Sequence, residues 1–193
     1  LTLVSGADQA AVSMYNESLA RNPHDPQSYF RIGNIYLNVA ESAQRALTGS
    51  PKGADSEALR KAISDNLVKA EENFKTAVGL NNNFGQALYN LAVVYERQSK
   101  LGEAIKQFER LQAANPRDPS LVFQLGLLYY RNNQKDPALR AWERAVFLFP
   151  NYSNARWYLS LVYEERGELE KALTQVEEID KLNLDNKLVK ERL

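Results

Sequence analysis

The 193-residue chain is long enough for one sizeable domain, and its 44% hydrophobic content, with ten Tyr, seven Phe and two Trp, can fill a core. Lys plus Arg equals Asp plus Glu at 24 each, which removes any general electrostatic reason to seek nucleic acid or an anionic membrane surface. Cys is absent, so disulfides, thiolate chemistry and Cys-based zinc sites are excluded, and no apolar run approaches the roughly 20 residues that span a bilayer.

The chain begins at Leu1, and LTLVSGA lacks the charged and long apolar regions of a signal peptide, so a piece of a longer protein or a processed form is expected. DQAAVSMYNESLARNP reads as one helix followed by a proline stop. YFRIGNIY opens a second helix, which LNVAESAQRAL continues. TGSPKGAD reads as a turn with Asp55 or Ser56 as N-cap, and SEALRKAISDNLVKAEENFKTAV as a long helix. Leu47, Leu59 and Ile63 are spaced to pair along the two.

From Tyr89 onward the chain repeats itself. YNLAVVYERQSKLGEAIKQFERLQAANP returns 34 residues later as FQLGLLYYRNNQKDPALRAWERAVFLFP. Tyr95, Tyr129 and Tyr163 keep that step, as do Leu91, Leu125 and Leu159, and Ala104, Ala138 and Ala172. Within a unit the apolar residues fall on helical stripes, such as Ala104, Phe108 and Leu111. A polar turn such as RQSKLGE separates two helices, and NPRDP ends the unit where proline stops one helix and starts the next. Each unit is therefore a helical hairpin, and hairpins that cannot bury both faces alone must stack. Gly33, Ala92, Gly126 and Ser160 form a column of small residues that lets helices approach, while Phe74, Phe108 and Trp142 are expected to fill the gap to the next unit.

This pattern resembles the tetratricopeptide repeat: a large residue, Leu-Gly, Tyr, Ala, an aromatic, Ala and Pro over 34 residues. LYNLAVVY, VFQLGLLYY, RWYLSLVY and YFRIGNIY carry the match in first helices. The resemblance covers nearly the whole chain and implies an all-α, right-handed α-solenoid of stacked hairpins. The expected organisation is a partial first repeat at 1–25, with Ala11, Tyr15 and Pro23; an enlarged second at 26–84; and repeats at 85–118, 119–152 and 153–186. LTLV is then either the remnant of a cut helix or a sign that the array continues upstream. The last repeat weakens at Val176, Ile179 and Leu184, and 187–193 reads as the start of a capping helix.

In the second repeat, Tyr36 to Ala70 spans 34 residues where other units use nine, so about 25 are extra, centred on 42–66. Both helices are expected to overshoot their neighbours by about ten residues, a spur of roughly 15 Å. Two readings stand: a tolerated insertion or local brace, or a docking element for another subunit or domain.

Candidate chemistry is sparse. His24, the sole histidine, falls in the inter-repeat turn NPHDP, which disfavours a triad or a His-based metal site. No nucleophile elbow, zinc-protease motif or phosphate loop is present. YEERGELEKA and KAEEN read as solvated helix faces, and the sequons at Asn16 and Asn151 as accidental. No enzyme, cofactor or metal is expected.

What the resemblance implies is a concave groove lined by first helices. Its columns are Phe30, Tyr89, Phe123 and Trp157; Arg31, Asn90, Gln124 and Tyr158; Asn34, Val93, Leu127 and Leu161; and Asn38, Arg97, Arg131 and Glu165. An aromatic ladder beside amides and Arg suits an extended or helical peptide with apolar anchors. The competing reading is scaffold surface, since that aromatic also packs between repeats. Aromatics stand where a carboxylate clamp needs Lys, and the groove lacks the basic stripe of a nucleic-acid site. The expected function is a non-enzymatic protein–protein interaction module. The alternative is an assembly domain within a larger protein, self-associating through the insertion or the open N-terminal end; the repeats are similar in style to tetratricopeptide tails of bacterial membrane proteins, which implies a membrane-anchored bacterial host chain.

Overall fold

A computed structural model describes residues 5–49 and 53–182. Among the described residues there are nine α-helices and no strand: α1 (Gly6–Arg21), α2 (Pro26–Thr48), α3 (Ala54–Leu80), α4 (Gly85–Arg97), α5 (Leu101–Ala114), α6 (Pro119–Arg131), α7 (Lys135–Leu148), α8 (Ser153–Glu165) and α9 (Leu169–Leu182). The expected cut helix at LTLV, Leu184 and the capping helix at 187–193 lie outside the described residues, as does the Ser50–Lys52 part of the TGSPKGAD turn. The chain divides into two compact units, Leu1–Gln107 and Phe108–Leu193, with the boundary inside α5.

Local sequence explains the helix ends. Asp25 caps α2 and Asp118 caps α6, each accepting two backbone N–H bonds, and each is followed by a proline in the first turn, where its missing N–H costs nothing. The Ser28 hydroxyl, which donates to Asp25 at 2.6 Å, leads the interactions that hold this carboxyl below its usual range. Ser5 and Asp8 close a capping box on α1. The expectation for α3 is corrected: its N-cap is Gly53, at φ 62°, and Asp55 and Ser56 lie in the first turn. The start there is set by a left-handed glycine rather than by a side-chain cap.

The turns inside three hairpins share one device. Ser99, Asn133 and Gly167, each 34 residues apart, all adopt positive φ, at 60°, 59° and 74°. The following amides of Lys100, Gln134 and Glu168 donate back to the carbonyls of Tyr95, Tyr129 and Tyr163, all at 2.8 Å. These bonds satisfy carbonyls that the helix end leaves open.

Packing in each unit centres on a small residue of the first helix and a ring of the second. A Cβ built on Gly33 meets Phe74 Cε1 at 2.7 Å, and one on Gly126 meets Trp142 Cδ1 at 2.6 Å. Both rings are completely buried. They fill the interior of their own hairpins, in addition to the expected gap to the next unit. Trp142 does both: its ring also stacks on Tyr158 of α8 at 5.0 Å, and its Nε1–H donates to the Phe123 carbonyl at 3.3 Å. In the last hairpin, Val176 and Ile179 remain buried and pack with Trp157.

The second hairpin is the long one. α2 has 23 residues and α3 has 27, against 13 in α4. Leu59 and Leu67 are buried along the extended part, and Leu47 and Ile63 are half-buried.

Candidate binding surface

The first unit places its proposed binding residues on α2 and α4. Phe30 is 7% exposed, with its ring 4.9 Å from Phe84 and 6.0 Å from Phe74. It is a core side chain and offers almost no area to a ligand. Tyr89, in the same column, is 43% exposed. Arg31 and Asn38 are exposed, while Asn34, Asn90 and Val93 are half-buried. Asn90 Nδ2 donates to Asn34 Oδ1 at 2.6 Å, and Arg97 lies 3.6 Å from Glu41, so two polar pairs tie α2 to α4.

Arg31, Asn34 and Asn38 also line a hollow of about 510 Å³ together with Ala11 and Tyr15 of α1 and Ile35 of α2. The reading of groove columns on first helices missed Ala11 and Tyr15. The signal was present, since Tyr15 occupies the column of Phe74 and Trp142. Those two rings are sealed by a glycine of a preceding first helix, and Tyr15 remains half-buried beside the hollow.

In the second unit, Phe123 is 6% exposed, with its ring 5.0 Å from Tyr152 and 5.7 Å from Tyr158. It belongs to the core built around Trp142. Gln124 and Arg131 are exposed; Leu127, Trp157, Tyr158 and Leu161 are half-buried. Tyr158 shows only part of its ring because Trp142 covers a face. The four-rung aromatic ladder is thus corrected at Phe30 and Phe123. A phenylalanine has no polar tip to keep in water, whereas Tyr89 does.

Electrostatics at the ends of the first helices come from short networks. Glu165 accepts from Tyr130 at 2.6 Å and from Lys135 at 2.7 Å, and these bonds, Lys135 first, hold its carboxyl below the usual range. Arg166 pairs with Asp136. One column recurs between hairpins: Tyr129 donates to Glu109 and Tyr163 to Glu143, each at 2.7 Å. Burial, reinforced by the Glu109 bond, pushes the Tyr129 phenol up to about 12, and burial with Glu143 pushes Tyr163 in the same direction. In the first unit the column of Glu109 and Glu143 holds Lys75, and burial would raise the nearby Glu71 carboxyl, but Lys100, Gln98 and Lys75 outweigh it and hold it low.

His24 is exposed in the α1–α2 turn, its backbone N–H on Asn22 Oδ1 at 3.3 Å. Among the described residues no group of three or more His, Cys, Asp or Glu is gathered to hold a metal ion. Among them, too, no helix is long and apolar enough to cross a membrane.

Comparison with solved structures finds close parallels in fold. The chain resembles MamA at 20% identity, covering 90% of this chain and 86% of that one, with a TM-score of 0.67. It resembles residues 41 to the end of MamA from Desulfovibrio magneticus RS-1 at 19% identity, covering 94% and 89%, with a TM-score of 0.66. A third similar structure is YrrB, described as a tetratricopeptide protein with an unusual peptide-binding site, at 18% identity, 92% and 96% coverage and a TM-score of 0.57. Comparison with curated proteins gives no match. The tetratricopeptide repeat model matches residues 66–119 and 123–181, more than half of the chain. With the 34-residue columns, the helical hairpins and their glycine-to-ring packing, that match shows that the chain belongs to the tetratricopeptide repeat family.

Proposed function

We propose that this chain is a non-enzymatic interaction module that holds a peptide or protein segment against the first helices of its hairpins. The observation that carries the reading is the hollow lined by Arg31, Asn34 and Asn38, with the exposed ring of Tyr89 on the neighbouring first helix. A guanidinium and side-chain amides offer hydrogen bonds to a peptide backbone, and an aromatic ring gives contact area at low entropic cost. In the second unit, Gln124, Arg131, Leu127, Trp157, Tyr158 and Leu161 supply the same mixture on α6 and α8. The fold-level likeness to YrrB is consistent with this reading.

The test is a peptide-array screen of the whole chain. Peptides retained by the native chain should bind at least about tenfold more weakly to Arg31→Ala/Tyr89→Ala, a loss of about 1.4 kcal/mol. Far-UV circular dichroism should be unchanged, because both side chains are exposed. Unaltered binding of every retained peptide would refute the reading.

One observation favours a second reading, self-association. None of the 16 residues of α1 is buried, and Met14 is 58% exposed. Light scattering should then show mass rising with concentration, and Met14→Glu should abolish the rise.

A further inference from the structure

The length mismatch between α2 and α4 creates a site. Arg97, the last residue of α4, stands beside Glu41, and α2 continues to Thr48. The residues of α2 after Glu41 therefore pass beyond the end of α4. Where they do, a notch of about 230 Å³ opens, lined by Ala40, Ile63 and Leu67 and by Glu41, Arg45 and Arg97. Half-buried Ile63 supplies the apolar floor, with buried Ala40 and Leu67 packed behind it; the charged side chains form a more exposed rim.

The rim is unbalanced, with two guanidinium groups against one carboxylate. Arg97 and Glu41 are 3.6 Å apart, long for a hydrogen bond, and their side chains are 55% and 35% exposed, so this pair is weak and readily exchanged. Arg45 donates to Ser42 Oγ at 2.9 Å, and among the described residues no carboxylate comes within 4.0 Å of it. The notch is smaller than the roughly 300–1,000 Å³ of pockets that take drug-sized ligands, and it suits a single large side chain.

We propose that this notch anchors an acidic, apolar segment of a partner protein. One Leu- or Phe-sized side chain covers Ile63, and a flanking carboxylate is received by Arg45 and Arg97. Charge complementarity selects this occupant. A basic segment meets net positive charge, and a purely apolar one desolvates two guanidinium groups without pairing them. The fork of each guanidinium matches a carboxylate in two parallel bonds. The inference stands apart from the first-helix groove and shares only Arg97 with it.

The experiment uses fluorescein-labelled hexapeptides and the whole 193-residue chain, read by fluorescence anisotropy. The probe is Asp-Asp-Leu-Phe-Asp-Asp; one control replaces its Asp with Lys, the other its Leu and Phe with Ser. The acidic apolar probe should bind saturably and both controls at least about tenfold more weakly. Arg45→Gln should weaken binding about fivefold, Arg45→Gln/Arg97→Gln further, and Glu41→Gln should strengthen it by freeing Arg97. Raising the salt from about 50 to 500 mM should weaken it. Absence of saturable binding overturns the proposal, as does equal binding of the Ser-substituted probe. Unchanged affinity in Arg45→Gln with native circular dichroism also overturns it. If Tyr89→Ala abolishes binding and Arg45→Gln does not, the probe sits on the first-helix face; the notch proposal then falls while the groove reading stands.

Discussion

The hairpin α2–α3 and the hairpin α6–α7 lock in the same way and differ in what lies beyond the lock. In each, a glycine of the first helix lets a ring of the second lie against bare backbone, Gly33 under Phe74 and Gly126 under Trp142. The α6–α7 hairpin ends soon afterwards, with helices of 13 and 14 residues, and Trp142 is shared with Tyr158 of the next hairpin. The α2–α3 hairpin runs on through helices of 23 and 27 residues, and its extension frames a notch with polar walls. The contact that defines the unit thus uses about one turn of each helix. A repeat can lengthen at its open end without disturbing the lock.

Removing the rings should break this equivalence most severely. Trp142→Ala and Phe74→Ala should each lose about 3–5 kcal/mol in urea unfolding, and a loss below about 1 kcal/mol in either would show that the two hairpins are not locked alike. Adding a single methyl group is the next test. Gly33→Ala and Gly126→Ala should each cost about 1–3 kcal/mol, because the new Cβ enters a ring. Gly79→Ala, also in a helix but with nothing within 4 Å of its Cβ, should gain about 0.5–1 kcal/mol from helix propensity. Opposite signs in thermal melts separate packing from propensity.

The turns offer a finer comparison. Ser99 in the first unit holds a left-handed conformation that Asn133 and Gly167 hold in the second. Ser99→Gly should stabilise by up to about 1 kcal/mol, and Asn133→Gly by less, since Asn tolerates this region better. Denaturant midpoints that ranked the other way would mean that side-chain contacts rule these turns.

A pH series probes the Tyr–Glu column. The folded Tyr129 value of about 12 lies above the ordinary 10.0, so the neutral phenol is favoured in the folded state. Its stabilisation is complete below pH 10.0 and is lost as the pH rises through about 12. Tyr129→Phe should flatten the fall in urea midpoint over that window, and an unchanged slope would remove Tyr129 as its source. The smallest effect is expected on the extension, where Lys61 and Asp65 pair at 3.0 Å in full view of solvent. Lys61→Ala should change stability by less than about 0.5 kcal/mol.

The residue columns name which positions of the candidate surface are equivalent, and the places where burial breaks that equivalence have a common cause. A 34-residue step identifies positions that share an environment, but it does not say how much of a side chain remains exposed. Phe30, Tyr89, Phe123 and Trp157 share a column; two are core and two are not, because Phe84 and Tyr152 bring rings over the phenylalanines. The helix start at Gly53 escaped notice for a related reason: Asp55 and Ser56 have good capping chemistry, but the backbone had already turned before them.

The amino-acid order alone settled the family and the hairpin unit, through the 34-residue recurrence of Tyr, Ala and small residues and the Asp-Pro helix starts. These are local and periodic features, and the physics of helix stripes and caps acts within a few residues. The sealing of Phe74 by Gly33, the Asn34–Asn90 bond and the notch beside Arg97 were decided only in three dimensions. Each depends on how closely and at what level two helices pass one another, which residue spacing along one helix does not encode.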